Sequence, residues 1–523
     1  MTLSSEAETA ERQPISTLIP ARVDRMLWSR FHTRMVVALG VAWILDGLEI
    51  TVASDVADIL QKKNTLDMSA RAVGDIASVY LIGEVVGALV FGRLSDKLGR
   101  RRLFLVTLGV YLVGSGLTAA TFGHGTGWVI WLYATRFVAG MGIGGEYAAI
   151  NSAIDEMIPA RYRGRADIAI NGTYWAGALL GTLAELVILN HLSDTVSWRI
   201  GFLLGPVLAI AVLYVRRNLP ESPRWLVMHG REKEAEEAIG RMEAESGERG
   251  ELPPLDESKA ILLNPITDLG YFALARVLFR DMPRRSILSA SLMITQSFLY
   301  NAIFFTYALV LGTVYHVGIG SIPLYFIAFA VGNLAGPLLL GRLFDTIGRR
   351  VMISSTYLLS GVLLGITAWA FDANLLGALS QTICWSVIFF FASAGASAAY
   401  LTVSEIFPLE VRAKAIAIFF AIAQAFGALG PDIYGSLVNS HRGLFIAYLI
   451  GGAVMLLGGV AELVFGVAAE QRSLEDIATP LSAVGYGDKR NAGGARTGFA
   501  RGLVTDPSDP RTAEQTGERP PGQ

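Results

Sequence analysis

The chain has 523 residues, 52% of them hydrophobic and only 17% charged, well below the quarter usual in soluble domains. With a net charge of −2, this composition points to a polytopic membrane protein and offers no basic patch for nucleic acid. A single cysteine, Cys384, excludes a disulfide framework, and six histidines scattered without ligand spacing give no reason to expect a metal centre.

Residues 1–34 lack the short apolar block of a cleavable signal and read as a cytoplasmic tail. Twelve apolar runs, each long enough to cross a bilayer, follow at 35–59, 75–94, 102–121, 127–151, 166–190, 198–215, 287–312, 320–340, 351–371, 374–402, 414–438 and 443–468. The expected fold is therefore an all-α membrane protein of twelve transmembrane helices, with one six-helix half at 35–215 and another at 287–468. Between them, 216–286 is a polar linker whose "REKEAEEAIGRM" reads as a short amphipathic surface helix. The segment 469–523 is rich in Gly, Pro, Arg and Asp and reads as a disordered tail.

Orientation follows from Lys and Arg in the short loops. Thirteen of them (Arg93, Lys97, Arg100, Arg101, Arg102, Arg161, Arg163, Arg165, Arg342, Arg349, Arg350, Arg412, Lys414) fall on one side. Five (Lys62, Lys63, Arg71, Arg199, Arg442) fall on the other. Both termini and the linker are expected on the cytoplasmic face.

The halves repeat each other. "GRLSDKLGRR" from Gly92 returns as "GRLFDTIGRR" from Gly341, an offset of 249. "EMIPARYR", with Glu156 and Arg163, returns at the same offset as "EIFPLEVR", with Glu405 and Arg412. A weaker pair, Glu221 of "PESPRWL" and Glu470 of "AEQRSL", keeps that register. Six helices is an even number, so the halves share orientation and are related by a pseudo-two-fold axis along the membrane normal. Gly92 and Gly99 are expected to allow a tight reversal. Asp96 is expected to face a helix N-terminus of the opposite half, while Arg100 and Arg101 stay at the phosphate-rich surface.

On these motifs and "RFVAGMGIGGE", residues 35–475 resemble a major facilitator superfamily transporter, nearest the sugar-porter branch and its metabolite–proton symporter relatives. The resemblance implies alternating access about a central cavity. It also implies a charge latch of the outward-facing state made by Asp96, Arg100, Glu156, Arg163, Asp345, Arg349, Glu405 and Arg412, together with Gly92, Gly99, Glu221, Gly341 and Glu470.

A charge at the bilayer centre costs roughly 2.5–3.5 kcal/mol, so those present should line a cavity or find partners. Asp46 and Glu49 sit three apart on one face of the first run, Glu84 lies mid-way along the second, and the fourth holds Arg136 and Glu146. Proton coupling needs an acid whose proton affinity changes as the cavity opens to each side. By resemblance, Glu49 matches the acidic position of sugar–proton symporters, and Asp46 with Glu49 matches the paired acids of aromatic-acid symporters. Glu49 is expected to carry the proton, with Asp46 as helper, Arg136 as the tuning charge and Glu146 nearby. The other reading is a fixed structural ion pair in a passive facilitator.

For the substrate cavity, "QSFLYNAIFF" keeps the Gln296 and Asn301 that hydrogen-bond hydroxyls in sugar porters, but Leu299 and Tyr300 replace a small pair. Asn171 stands where a glutamine is usual, and Tyr400 where a tryptophan is. These departures suit a different polyol, a cyclic acid or an organic amine better than a hexose. Packing is the alternative role for Tyr300 and Tyr400. The expected function is proton-coupled symport of a small polar organic metabolite, a sugar, polyol or organic acid, by a monomer in a bacterial inner membrane with no cofactor. A passive facilitator, a proton-driven exporter and a non-transporting sensor are the alternatives. No nucleophile–base pair suggests an enzyme.

Overall fold

In a bilayer each run must satisfy its backbone groups internally, so each becomes a helix. The computed structural model describes residues 15–478 except 217–219, 264–269, 305, 319–320, 409–410 and 439. The first half comprises α1 (Arg30–Asp55), α2 (Ala70–Leu98), α3 (Arg100–Ala119), α4 (Thr126–Met157), α5 (Ala160–His191) and α6 (Asp194–Arg216). The second comprises α7 (Pro283–Phe304, resuming as Tyr307–Thr313), α8 (Ile322–Thr346), α9 (Arg349–Asp372), α10 (Ala378–Glu405), α11 (Arg412–Gly427, resuming as Leu429–Leu437) and α12 (His441–Phe465).

Among the described residues, nine of these helices are apolar and long enough to span a membrane by composition alone. The other three are α4, α5 and α11. The first two run to 32 residues each and overshoot the apolar runs at the arginine-rich end, because their last and first turns carry charges that are used there. In α11 the helix breaks at Ala428.

The packing repeats with the sequence. α1 packs on α5, α2 and α3 on α4, and α3 on α6; six helices later α7 packs on α11, α8 and α9 on α10, and α9 on α12. Across the halves the major contacts are α5 with α8 and α2 with α11, again a matched pair. Small residues make the close approaches possible. A Cβ at Gly140 would run into the Tyr80 carbonyl, and one at Gly144 into the Glu84 carbonyl, so α4 lies directly against α2.

Two expectations at the chain ends need correction. The described part of the 1–34 tail is folded, and α1 starts at Arg30 rather than 35. Strand β1 (Ile15–Thr17) pairs antiparallel with β2 (Ile261–Leu263) of the linker. The short helix Ile19–Arg25 docks on the linker helix Glu232–Gly247, where Arg22 and Arg25 each reach Glu243 at 2.6 Å. At the other end, residues 469–478 also pack on the bundle. Arg285 donates to the Ile477 carbonyl at 2.8 Å, and Arg224 lies 3.5 Å from Glu475. Residues 479–523 of that segment lie outside the described residues. Both described ends thus sit at the arginine-rich end of the bundle.

Candidate functional site

The repeated motifs meet at the arginine-rich end. Arg100 donates to Glu156 at 2.7 Å, and its counterpart Arg349 pairs with Glu405, the same contact in each half. Two further pairs cross the boundary. Arg163 of α5 donates to Glu405 of α10 at 2.9 Å, and Arg412 of α11 lies 3.8 Å from Asp155 of α4. Glu221 accepts the backbone N–H of Arg100 at 2.7 Å as Glu470 accepts that of Arg349 at 3.4 Å, each carboxylate meeting the exposed donors at the start of a helix.

The details differ from expectation at two positions, Gly92 and Arg100. Gly99 does make the reversal, at φ 85°, but Gly92 lies inside α2, where a Cβ would meet Ala417 of α11; its counterpart Gly341 faces Ile168 of α5. Arg100 is not at the surface: it is 3% exposed, because Glu156 and the Ser95 carbonyl draw its guanidinium inward. The Asp96 side chain lies outside the described residues. Its counterpart Asp345 accepts the Arg165 backbone N–H near the start of α5 at 2.9 Å, and lies 3.9 Å from Arg349.

Deeper between the halves is a cavity of about 110 Å³. Asn171, Gln296, Tyr300, Asn301 and Tyr400 all line it. Gln296 donates to the Tyr400 hydroxyl at 2.9 Å, and the Tyr300 hydroxyl donates to Asn333 at 3.3 Å. Asn301 donates to Ser297, Ser297 to Gln424 at 2.8 Å, and Gln424 to Glu84 at 2.7 Å. That chain runs from α7 through α11 to α2 and so ties the halves together at the cavity wall.

Asp46 and Glu49 part company. Asp46 lines the cavity and accepts hydrogen bonds from the Tyr80 and Tyr147 hydroxyls. Glu49 turns the other way, into the packing of α3 and α4. It accepts from Tyr111 at 2.8 Å and Ser115 at 3.0 Å, and is paired with Arg136. Arg136 also sits 4.4 Å from the centre of the Tyr80 ring, the residue whose hydroxyl serves Asp46. The two carboxylates are thereby linked through two side chains, Arg136 and Tyr80. Glu146 is buried with the Thr107 hydroxyl 3.5 Å away and does not line the cavity.

Sequence reasoning missed four contributors. Asp155 neighbours Glu156 in the motif and was overshadowed by it. Asp167, fully buried and bonded to Asn171 at 2.9 Å, is hidden among the arginines that open α5. Trp43 and Trp175 line the cavity but look like ordinary apolar residues in their runs. Glu84 was visible as a mid-membrane charge, although nothing local reveals its partner Gln424, 340 residues away.

Two six-helix halves closed by reciprocal ion pairs over a polar cavity define a membrane transporter of the major facilitator superfamily. The model of the family described as "sugar (and other) transporter" matches residues 35–481, and the chain belongs to that family. It is 24% identical over 461 residues to the niacin transporter NiaP of Acinetobacter baylyi, covering 87% of this chain and 99% of that one. It is 25% identical over 481 residues to the inner membrane metabolite transport protein YdjE of Escherichia coli, covering 88% and 98%. The Escherichia coli proton:xylose symporter XylE, solved with 6-bromo-6-deoxy-D-glucose, superposes with a TM-score of 0.72 at 20% identity, covering 86% and 98%.

Proposed function

We propose that this transporter imports a small, ring-bearing polar organic molecule together with a proton, by alternating access across a bacterial inner membrane with both ends of the chain cytoplasmic. The observation that carries the reading is the enclosed Glu49–Arg136 pair, joined through Tyr80 to Asp46 on the cavity wall. A proton arriving at Glu49 releases Arg136, and the change reaches the cavity through the Tyr80–Asp46 contact. The cross-half pairs Arg163–Glu405 and Arg412–Asp155 serve as the latch of the state open to the outside. The arginine-rich end faces the cytoplasm by the positive-inside rule, and the name of the relative YdjE supports an inner membrane. Tyr300 in place of a small residue, Asn171 in place of a longer glutamine, and the many rings in the cavity wall support a substrate other than a hexose.

The full enclosure of Glu49 favours a second reading, a passive facilitator with a permanent ion pair. Purified protein in liposomes separates the two. Uptake of benzylamine, benzoate, inositol and glucose is measured with and without an inward proton gradient. One proton moving through 100 mV supplies about 2.3 kcal/mol, about fiftyfold accumulation. Proton-coupled import predicts gradient-driven accumulation of one of these, lost in Glu49→Gln while exchange of labelled for unlabelled substrate persists. Equilibration without accumulation in the wild type would favour the facilitator.

A further inference from the structure

Resting on the transporter reading above, we propose that the cavity binds a single-ring organic cation, a protonated amine on or in a flat ring, with Glu84 as its counter-charge. The first observation is size. At about 110 Å³ the space is of the order of the ~150 Å³ apolar cavity that accepts benzene, so one ring with a small substituent fits and a disaccharide does not.

The second is the wall. Trp43, Tyr147, Trp175, Tyr300 and Tyr400 line the space from both halves. The Trp43 and Tyr147 rings stand nearly perpendicular with centroids 4.6 Å apart, and Tyr147 and Tyr400 lie nearly parallel at 6.3 Å. Ring faces of this kind attract cations, most strongly when water is excluded.

The third is the sign of the hydrogen bonds left over. Gln424 holds one oxygen of Glu84, while the other, Oε1, is buried without a partner among the described residues. Asn171 is in the same condition for a separate reason. A carboxylate can only accept, so Asp167 takes the Asn171 amide nitrogen and leaves Oδ1 unpartnered. Both vacant groups are acceptors, on α2 and α5, and a buried acceptor without a donor is destabilising. A ligand carrying N–H donors removes both deficits.

The fourth is charge. The cavity lining contains Asp46 and Glu84 and no Lys or Arg among the described residues. The groups that face Glu84 are Asp46 on α1, Tyr80 on its own helix, Arg136 and Tyr147 on α4, Tyr174 on α5, Tyr400 on α10 and Gln424 on α11. Arg136 is already committed to Glu49, and both oxygens of Asp46 are occupied by tyrosine hydroxyls. Glu84 therefore keeps an open oxygen for the ligand, and a carboxylate ligand would meet two acidic side chains with no basic residue in the lining to offset them.

The test compares three ligands of one shape on purified full-length protein at neutral pH: benzylamine, benzyl alcohol and benzoate. Binding is read by titration calorimetry and thermal shift. Benzylamine should bind at least tenfold more tightly than benzyl alcohol, and benzoate should not compete. Glu84→Gln should lower benzylamine affinity at least tenfold while leaving benzyl alcohol unchanged, a split that general unfolding cannot produce. Equal binding of benzoate and benzylamine, an unaltered benzylamine affinity in Glu84→Gln, or no binding of any of the three overturns the proposal. If Glu84→Gln does not fold, the wild-type amine-to-alcohol ratio decides, and a ratio below twofold is negative. Gradient-driven accumulation of benzoate would sink this assignment and leave proton-coupled import standing. Tight benzylamine binding without gradient-driven accumulation would do the reverse.

Discussion

Arg163 and Glu405 lie 242 residues apart in the chain, belong to different halves and meet at 2.9 Å with both side chains fully enclosed. Glu405 also holds Arg349. Its loss would leave two buried guanidinium groups short of their counter-charge, at a cost of about 3–5 kcal/mol. The contact joins the two halves at the arginine-rich end, so under the proposed latch Glu405→Gln should shift the equilibrium toward opening there. A reporter cysteine at Ser397 in the cavity, with Cys384→Ser to remove the native thiol, should be labelled from that face at least tenfold faster in Glu405→Gln. An unchanged rate would mean the pair does not hold the halves together.

The Glu84–Gln424 hydrogen bond makes a second, thermodynamic prediction. Gln424→Leu leaves a buried carboxylate without its donor and should cost about 1–3 kcal/mol. Replacing both partners, Glu84→Leu with Gln424→Leu, should recover part of that loss, because the buried carboxylate is then gone and only the Ser297 hydroxyl is left without its acceptor. Thermal unfolding of the purified single and double variants reads the difference. A double variant less stable than Gln424→Leu alone would refute the pairing.

Helix packing gives a third. Gly144→Leu drives a side chain into the Glu84 carbonyl on α2, whereas Gly109 on α3 has nothing within 4 Å of an added Cβ. Gly144→Leu should lower the yield of folded protein severely and Gly109→Ala should not. Detergent-extracted, size-exclusion-resolved protein measures both.

The folded N-terminal segment should respond to acid. Burial opposes ionisation of Glu243, but hydrogen bonds and charge from Arg22 and Arg25 hold its carboxyl below its ordinary value. A depressed carboxylate stabilises the docked state at pH above its unfolded value of about 4.3, and that contribution disappears as pH falls through the lower folded value. Hydrogen exchange in Ile19–Arg25, corrected for intrinsic rate, should therefore stay protected at pH 5 and lose protection toward pH 3. Glu243→Gln should lose it already at pH 7. Equal protection in that variant would rule out the ion pairs as the anchor.

The fold was legible because lipid imposes length and the repeat imposes register: twelve runs and a constant offset of 249 already describe two equivalent halves. Arg100, Glu156, Arg349 and Glu405 stood out as motif residues for the same reason, although their pairing came only with the structure. What was not legible depends on helices meeting across the boundary. No local pattern couples Glu84 to Gln424, and helical spacing puts Asp46 and Glu49 on one face without saying that they address opposite neighbours. Arg100 was assigned to the surface by its charge, but a buried glutamate outweighs the headgroups. The strand Ile15–Thr17 is three residues long, too short for any alternation to show, and it is ordered only by its linker partner.

In the proposed mechanism Glu49 governs which way the halves open. The direct measurement is the distance between spin labels at Lys97 and Arg342, on α2 and α8 at the arginine-rich end, recorded across pH in liposomes in the Cys384→Ser background. The distances should redistribute with pH in the wild type and stay locked in one population in Glu49→Gln. The same pH response in both proteins would contradict it.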